Sequence, residues 1–143
     1  MELEHLKDIV KDNTGIDVNR KTRLREVVEA RNIYFHLCRN NTTKSLAEIG
    51  RSVQKDHATV LHGLKQIKNW ASYDDRLRQQ LLDIESRIVY FKKQVQETGL
   101  SFETIVENYR DMEKQNKHLI QANKTLMGKI VSLQSRLKHL EGV

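Results

Sequence analysis

The side chains able to do chemistry here fall into two basic runs and one isolated pair. The first run is Arg20-Lys21-Thr-Arg23-Leu-Arg25, and the second is Lys55-Asp56-His57-Ala58-Thr59-Val-Leu-His62. Guanidinium and ammonium groups at such density suit phosphate oxygens, while imidazole, hydroxyl and methyl groups suit base edges. The pair is His36 and Cys38, two residues apart, which lacks the further ligands a metal site needs, so no metal and no cofactor are expected. No Ser/His/Asp or paired-carboxylate pattern stands out, and an enzyme or a small-molecule substrate is not expected.

Charge distribution sharpens this contrast. The 143 residues carry 25 Lys and Arg against 19 Asp and Glu, a formal charge of +6. Residues 1–19 hold two basic and five acidic side chains, net −3, whereas residues 20–70 hold eleven against four, net +7. Residues 71–143 hold twelve against ten, net +2, and read as nearly neutral. A basic block of fifty residues is the electrostatic footprint of a nucleic-acid-binding domain. The bland alternative is a solvated surface that is simply basic.

Helices must position these groups, and the composition favours them. Proline is absent and only six glycines occur, too few corners for a sheet-rich or disordered chain. The single cysteine cannot form an internal disulfide, no leader pattern opens the chain, and no apolar run approaches a membrane span. A cytoplasmic, all-α protein is expected, without a membrane partner.

Leu3, Leu6, Ile9 and Val10 recur at helical spacing until Asn13-Thr-Gly15 breaks the pattern. Val27, Val28, Ala30, Ile33, Tyr34, Leu37 and Cys38 make a buried stripe that should stop near Asn40-Asn41-Thr42-Thr43. Ser45-Leu-Ala-Glu48 is a capping box opening a short helix with Leu46, Ile49 and Val53 inward. Gln54-Lys55 forms a tight connection, and Asp56 caps a following helix with Val60, Leu61, Leu64 and Ile67 on its apolar face. Two helices so joined have the spacing of a helix-turn-helix, whose second helix presents its N-terminal residues to the major groove. A further helix starts between Ser72 and Asp74.

Beyond it the period changes to alternating steps of three and four. Ile105, Met112, Leu119, Leu126, Leu133 and Leu140 recur every seven residues, interleaved with Asn116, Asn123, Ile130 and Leu137. This is a coiled-coil seam, and asparagines within it fix register and favour two parallel strands. From Phe102 to Leu140 it makes a rod of roughly 58 Å. Val106, Ile120 and Met127 widen the stripe, which leaves room for a higher oligomer or for packing against another helix. Gly99, before Ser101, is either a break between two helices or part of one continuous helix; the two-helix reading is preferred.

The block from about Ile9 to Trp70 resembles the C-terminal DNA-binding domain of the bacterial replication initiator DnaA. The resemblance rests on Val27-Val28-Glu-Ala-Arg31, Ser45-Leu-Ala-Glu-Ile-Gly50 and Lys55-Asp56-His57-Ala58-Thr59-Val60-Leu61-His62. It implies that Asp56, His57 and Thr59 approach bases or backbone, and that Arg23 enters the adjacent minor groove. Lys55 stands where the family uses arginine and loses the planar fork that reads guanine. Ala58 stands where the family uses threonine, keeping a methyl but losing the hydroxyl. These departures bear on which sequence is preferred rather than on duplex binding itself. The initiator's GxxxxGK[ST] phosphate loop has no counterpart.

The resulting expectation is a helix-turn-helix domain over 1–71, a connecting long helix over 72–98 and a coiled-coil segment over 99–143. Its DNA contacts would be Arg20, Lys21, Arg23, Arg25, Arg31, Lys55, Asp56, His57, Ala58, Thr59 and His62, with Arg51 and Lys65 as weaker candidates for phosphate. Double-stranded DNA and a second copy of the chain are the expected partners, in a bacterial cell or from a phage or mobile element. The contrasting expectation is a coiled-coil scaffold whose basic domain docks on a protein.

Overall fold

A computed structural model describes residues 1–142. It contains six α-helices and, among the described residues, no strand: α1 Leu3–Thr14, α2 Arg25–Asn41, α3 Leu46–Ser52, α4 His57–Tyr73, α5 Asp75–Thr98 and α6 Phe102–Glu141. The chain is all-α. Helices α1 to α5 form one compact unit, Met1–Thr98, and α6 lies in a second that starts at Gly99.

Local chemistry sets the helix ends. α1 closes on Gly15, whose φ of 74° lets its amide bond the Lys11 carbonyl at 2.8 Å. α3 opens with the reciprocal box: Ser45 Oγ accepts from the Glu48 amide at 3.2 Å, and a Glu48 carboxylate oxygen accepts from the Ser45 amide at 2.8 Å. α4 opens on Asp56, and the first turn of α5 is capped by Asp74, which accepts from the Leu77 amide at 3.1 Å. α5 ends before Gly99, at φ 69°, and Ser101 caps α6 by accepting from the Thr104 amide at 3.2 Å.

α2 is the central helix of the first unit, with Val27, Ala30, Ile33, Tyr34, Phe35, Leu37 and Cys38 all buried. α1 covers it with Leu6, Ile9 and Val10, α3 with Ile49, and α4 with Val60, Ile67 and Trp70. α5 adds Leu77, Leu81, Ile84, Ile88 and Phe91 to the buried set, so the compact unit runs past residue 71. One side chain departs from the expected stripe on α4. Leu61 is 43% exposed, and Gly63 takes the buried position instead. The reason is proximity: a Cβ on Gly63 would lie 2.5 Å from Asn32 Oδ1 and 2.8 Å from Phe35 Cδ2. α4 therefore rests on α2 through its backbone at Gly63, which rotates Leu61 outward.

In the second unit α6 is a forty-residue helix. Ile105 and Val106 are buried, whereas Met112 and every residue from Lys114 to Gly142 are exposed. The exposed set includes Asn116, Leu119, Asn123, Leu126, Ile130, Leu133, Leu137 and Leu140.

Candidate nucleic-acid interface

Helices α3 and α4 are joined by Val53–Asp56, a turn that folds back over Gly50. The Val53 and Lys55 amides both donate to the Gly50 carbonyl, at 3.0 and 2.8 Å, and Gln54 adopts φ 59°. A Cβ at Gly50 would stand 2.6 Å from the Lys55 carbonyl oxygen and 2.9 Å from that of Asp56. Glycine is the residue that lets this turn close, and it delivers Lys55 and Asp56 to the head of α4.

Asp56 is exposed, and its Oδ1 accepts from both the Thr59 amide and the Thr59 hydroxyl, each at 2.8 Å. The amide bond holds the Asp56 carboxyl below the usual carboxylate range. Thr59 is half-buried with its proton committed, leaving its oxygen free to accept. His57, Ala58 and His62 are exposed on the same helix, as are Leu61, Lys65 and Lys68. The exposed face of α4 thus presents imidazole and methyl groups in its first two turns and ammonium groups beyond them.

The loop before α2 supplies the second half of the interface. Val18 is buried and anchors it. Arg31, expected to meet phosphate, instead turns inward: only 6% exposed, it donates from Nε to the Val18 carbonyl at 3.3 Å and from Nη2 to the Arg20 carbonyl at 2.6 Å. Its guanidinium thus pairs with carbonyls of an irregular loop, of which that of Arg20 also accepts from the Thr22 amide at 3.2 Å. Arg20, Lys21 and Arg23, on the loop it holds, are exposed.

The two halves adjoin. A groove of about 310 Å³ is lined by Arg20, Lys21 and Arg23 on one side and Gln54 and Lys55 on the other. A second, of about 630 Å³, is lined by Arg23, Arg25, Lys55, Thr59 and His62, among others. Arg23 and Lys55 belong to both walls. Arg25 has a second attachment, its guanidinium carbon lying 3.5 Å from the centroid of the Trp70 ring. Trp70 is almost wholly buried, so that stacking steers Arg25 along the groove rather than leaving it loose. Of the expected residues, Arg20, Lys21, Arg23, Arg25, Lys55, Thr59 and His62 line these grooves, and the inward-turned Arg31 contributes to the wall of the larger one. Asp56, His57 and Ala58 lie beside them at the head of α4.

Sequence reasoning missed the residues that aim α4. Asn32 donates to Gln66 at 2.9 Å, fixing α2 against α4 next to Gly63. A glycine inside an otherwise apolar helix was the available signal. Among the described residues, no group of three or more His, Cys, Asp or Glu could hold a metal. Cys38 is buried and burial pushes its thiol up to about 12, while His36 faces Glu85 at 2.9 Å.

Comparison with known proteins places this arrangement. Residues 3–67 match the family described as bacterial dnaA protein helix-turn-helix. The chain is 41% identical over 70 residues to the chromosomal replication initiator protein DnaA of Bacteroides thetaiotaomicron, covering 48% of this chain and 15% of that one. Against the DnaA of Flavobacterium psychrophilum it is 32% identical over 92 residues, covering 62% and 19%. Against that of Chloroflexus aurantiacus it is 35% identical over 89 residues, covering 59% and 19%. The chain therefore spans less than a fifth of the length of these curated relatives. Over residues 3–67, a little under half of its length, the protein is similar to the helix-turn-helix domain of bacterial DnaA.

Proposed function

We propose that the protein binds duplex DNA sequence-specifically through this domain and pairs with a second copy through α6. The observation that carries the reading is the shared wall of the two grooves, where Arg23 and Lys55 bring the basic loop against the head of α4. In this reading Arg20, Lys21 and Arg25 hold phosphates, and Arg23 reaches into the minor groove. The major-groove edges fall to Lys55, Asp56, His57, Ala58 and Thr59, with His62 one turn further along. Arg31 acts through the loop as a positioning residue and touches no DNA. In the same reading the sites are related to initiator boxes, which the likeness to replication initiators supports, and the use made of them is control of replication or transcription.

Pairing rests on α6. Its leucine seam is exposed from Leu119 to Leu140, while Asn116 and Asn123 opposite themselves favour two parallel strands. Two linked readers raise one another's effective concentration on paired boxes.

The test is duplex binding by the full chain carrying Arg23→Ala with His57→Ala. Both side chains are exposed, so the fold is retained, and binding to the preferred duplex is abolished. Binding equal to the parent's would instead favour a coiled-coil scaffold whose basic domain docks on protein.

A further inference from the structure

The near neutrality of residues 71–143 conceals a sharp division. Residues 71–113 hold six basic and nine acidic side chains, net −3. Residues 114–140 hold six basic ones, Lys114, Lys117, Lys124, Lys129, Arg136 and Lys138, and no Asp or Glu. None of the six takes part in any described ion pair, and all are exposed. A solvated helix normally intersperses both signs for i,i+4 support, and this one forgoes that support over seven turns.

The positions of these cations relative to the seam are as informative as their number. With Asn116, Asn123, Ile130 and Leu137 as a and Leu119, Leu126, Leu133 and Leu140 as d, the e positions are Ile120, Met127 and Gln134. No charge stands at a, d or e. Lys117, Lys124 and Lys138 occupy b, Lys114 occupies f, and Lys129 and Arg136 occupy g. Closing the seam therefore leaves the b and f lysines on one outward stripe. From Lys114 to Lys138 that stripe runs about 36 Å, close to one turn of B-form duplex.

We propose that this lysine stripe on α6 is a second DNA-contacting surface, which binds the phosphate backbone of a duplex without regard to sequence. The proposal rests on the reading of the protein as a DNA-binding one. Duplex DNA carries one negative charge per roughly 1.7 Å, so it meets a stripe of cations with a dense line of counter-charge. An anionic membrane is the weaker fit: an interfacial helix keeps a continuous apolar face, whereas Asn116 and Asn123 interrupt this one at adjacent heptads. An acidic coiled-coil partner would place its charges against e and g, yet e is uncharged and only two of the six cations lie at g.

The experiment measures binding of the full chain to a selected and to an unrelated duplex as salt is raised. The parent is compared with a variant carrying Lys114→Gln, Lys117→Gln, Lys124→Gln and Lys138→Gln. Glutamine matches lysine in helix propensity and the four positions lie outside the seam, so sedimentation should give the parent's mass. Four lost phosphate contacts lower the slope of log K against log salt by about 3.6 per chain, equivalent to about 150-fold in affinity between 50 and 200 mM salt. The ratio of selected to unrelated affinity is unchanged. A parental slope in the variant overturns the stripe while leaving sequence-specific binding by the first unit intact. Failure of the parent to bind any duplex overturns both. A parent that keeps its slope on mutation yet associates with phosphatidylserine vesicles, or with an acidic leucine-heptad peptide, assigns α6 to that partner and overturns the proposal.

Discussion

Replacing Gly63 and Gly128 by alanine should move stability in opposite directions, although both glycines lie inside helices. At Gly128 a Cβ meets nothing within 4 Å, so the substitution adds helix propensity, about 1 kcal/mol, and stabilises α6. At Gly63 the same gain is set against a Cβ 2.5 Å from Asn32 Oδ1 and 2.8 Å from Phe35 Cδ2. Asn32 is 3% exposed and tied to Gln66, and Phe35 is 0% exposed, so neither can yield by swinging into solvent. Overpacking of this kind costs about 1–3 kcal/mol, so against a gain of about 1 kcal/mol the net for Gly63→Ala is a loss of up to about 2 kcal/mol. For a unit of this size each kcal/mol lost lowers the melting temperature by about 4–8 °C. Because α4 then shifts relative to the basic loop, affinity for duplex falls as well. Circular dichroism melts of both variants provide the assay. A Gly63→Ala protein melting at or above the parent would refute the close approach of α4 to α2 on which the groove geometry depends.

Further outcomes follow from individual contacts. Arg31→Met removes two bonds from a buried guanidinium and leaves the Val18 carbonyl unpaired, while that of Arg20 keeps the Thr22 amide, costing about 2 kcal/mol; duplex affinity drops but its salt slope stays at the parent's value, whereas a reduced slope would make Arg31 a phosphate contact after all. The Asp56 carboxyl is held low by the Thr59 amide, so its stabilisation is complete above the unfolded carboxylate range and is lost as pH falls through the lowered folded value. Asp56→Asn should therefore flatten the decline of melting temperature between about pH 5 and 3 relative to the parent, and parallel curves would remove this residue from the acid response. Leu137→Cys should cross-link chains through a disulfide on mild oxidation, because parallel in-register strands set the two sulfurs face to face. Full-length antiparallel strands would instead put residue 137 opposite residue 105, about 48 Å from its twin, and no dimer band would form. Cys38, buried and with its thiol pushed up to about 12, stays unreactive in this assay.

What the sequence disclosed and what it hid divide along physical lines. Ser45 with Glu48, Asp56, Asp74 and Gly99 with Ser101 act within one turn of themselves, so their roles are legible in local spacing alone. The inward turn of Arg31 is not, because it depends on carbonyls 13 and 11 residues earlier in an irregular loop. Leu61 followed the apolar periodicity yet came out exposed, since α4 turns its backbone at Gly63, not Leu61, against the Asn32 and Phe35 side chains. Gly50 was visible within a motif, but its necessity shows only when the Lys55 and Asp56 carbonyls are seen folding over it. The charge of α6 was present in the residue counts throughout and was lost by averaging it with an acidic neighbour.

The central claim, that this domain reads base sequence, is tested most directly by selecting bound duplexes from a random library with the full chain. The account expects enrichment of one box-like motif whose loss of a contacted base pair costs about 1–3 kcal/mol in affinity. It further expects that motif to be lost with Arg23→Ala and His57→Ala. No enriched motif, with binding that disappears at moderate salt, would contradict it and leave only a basic protein attracted to phosphate.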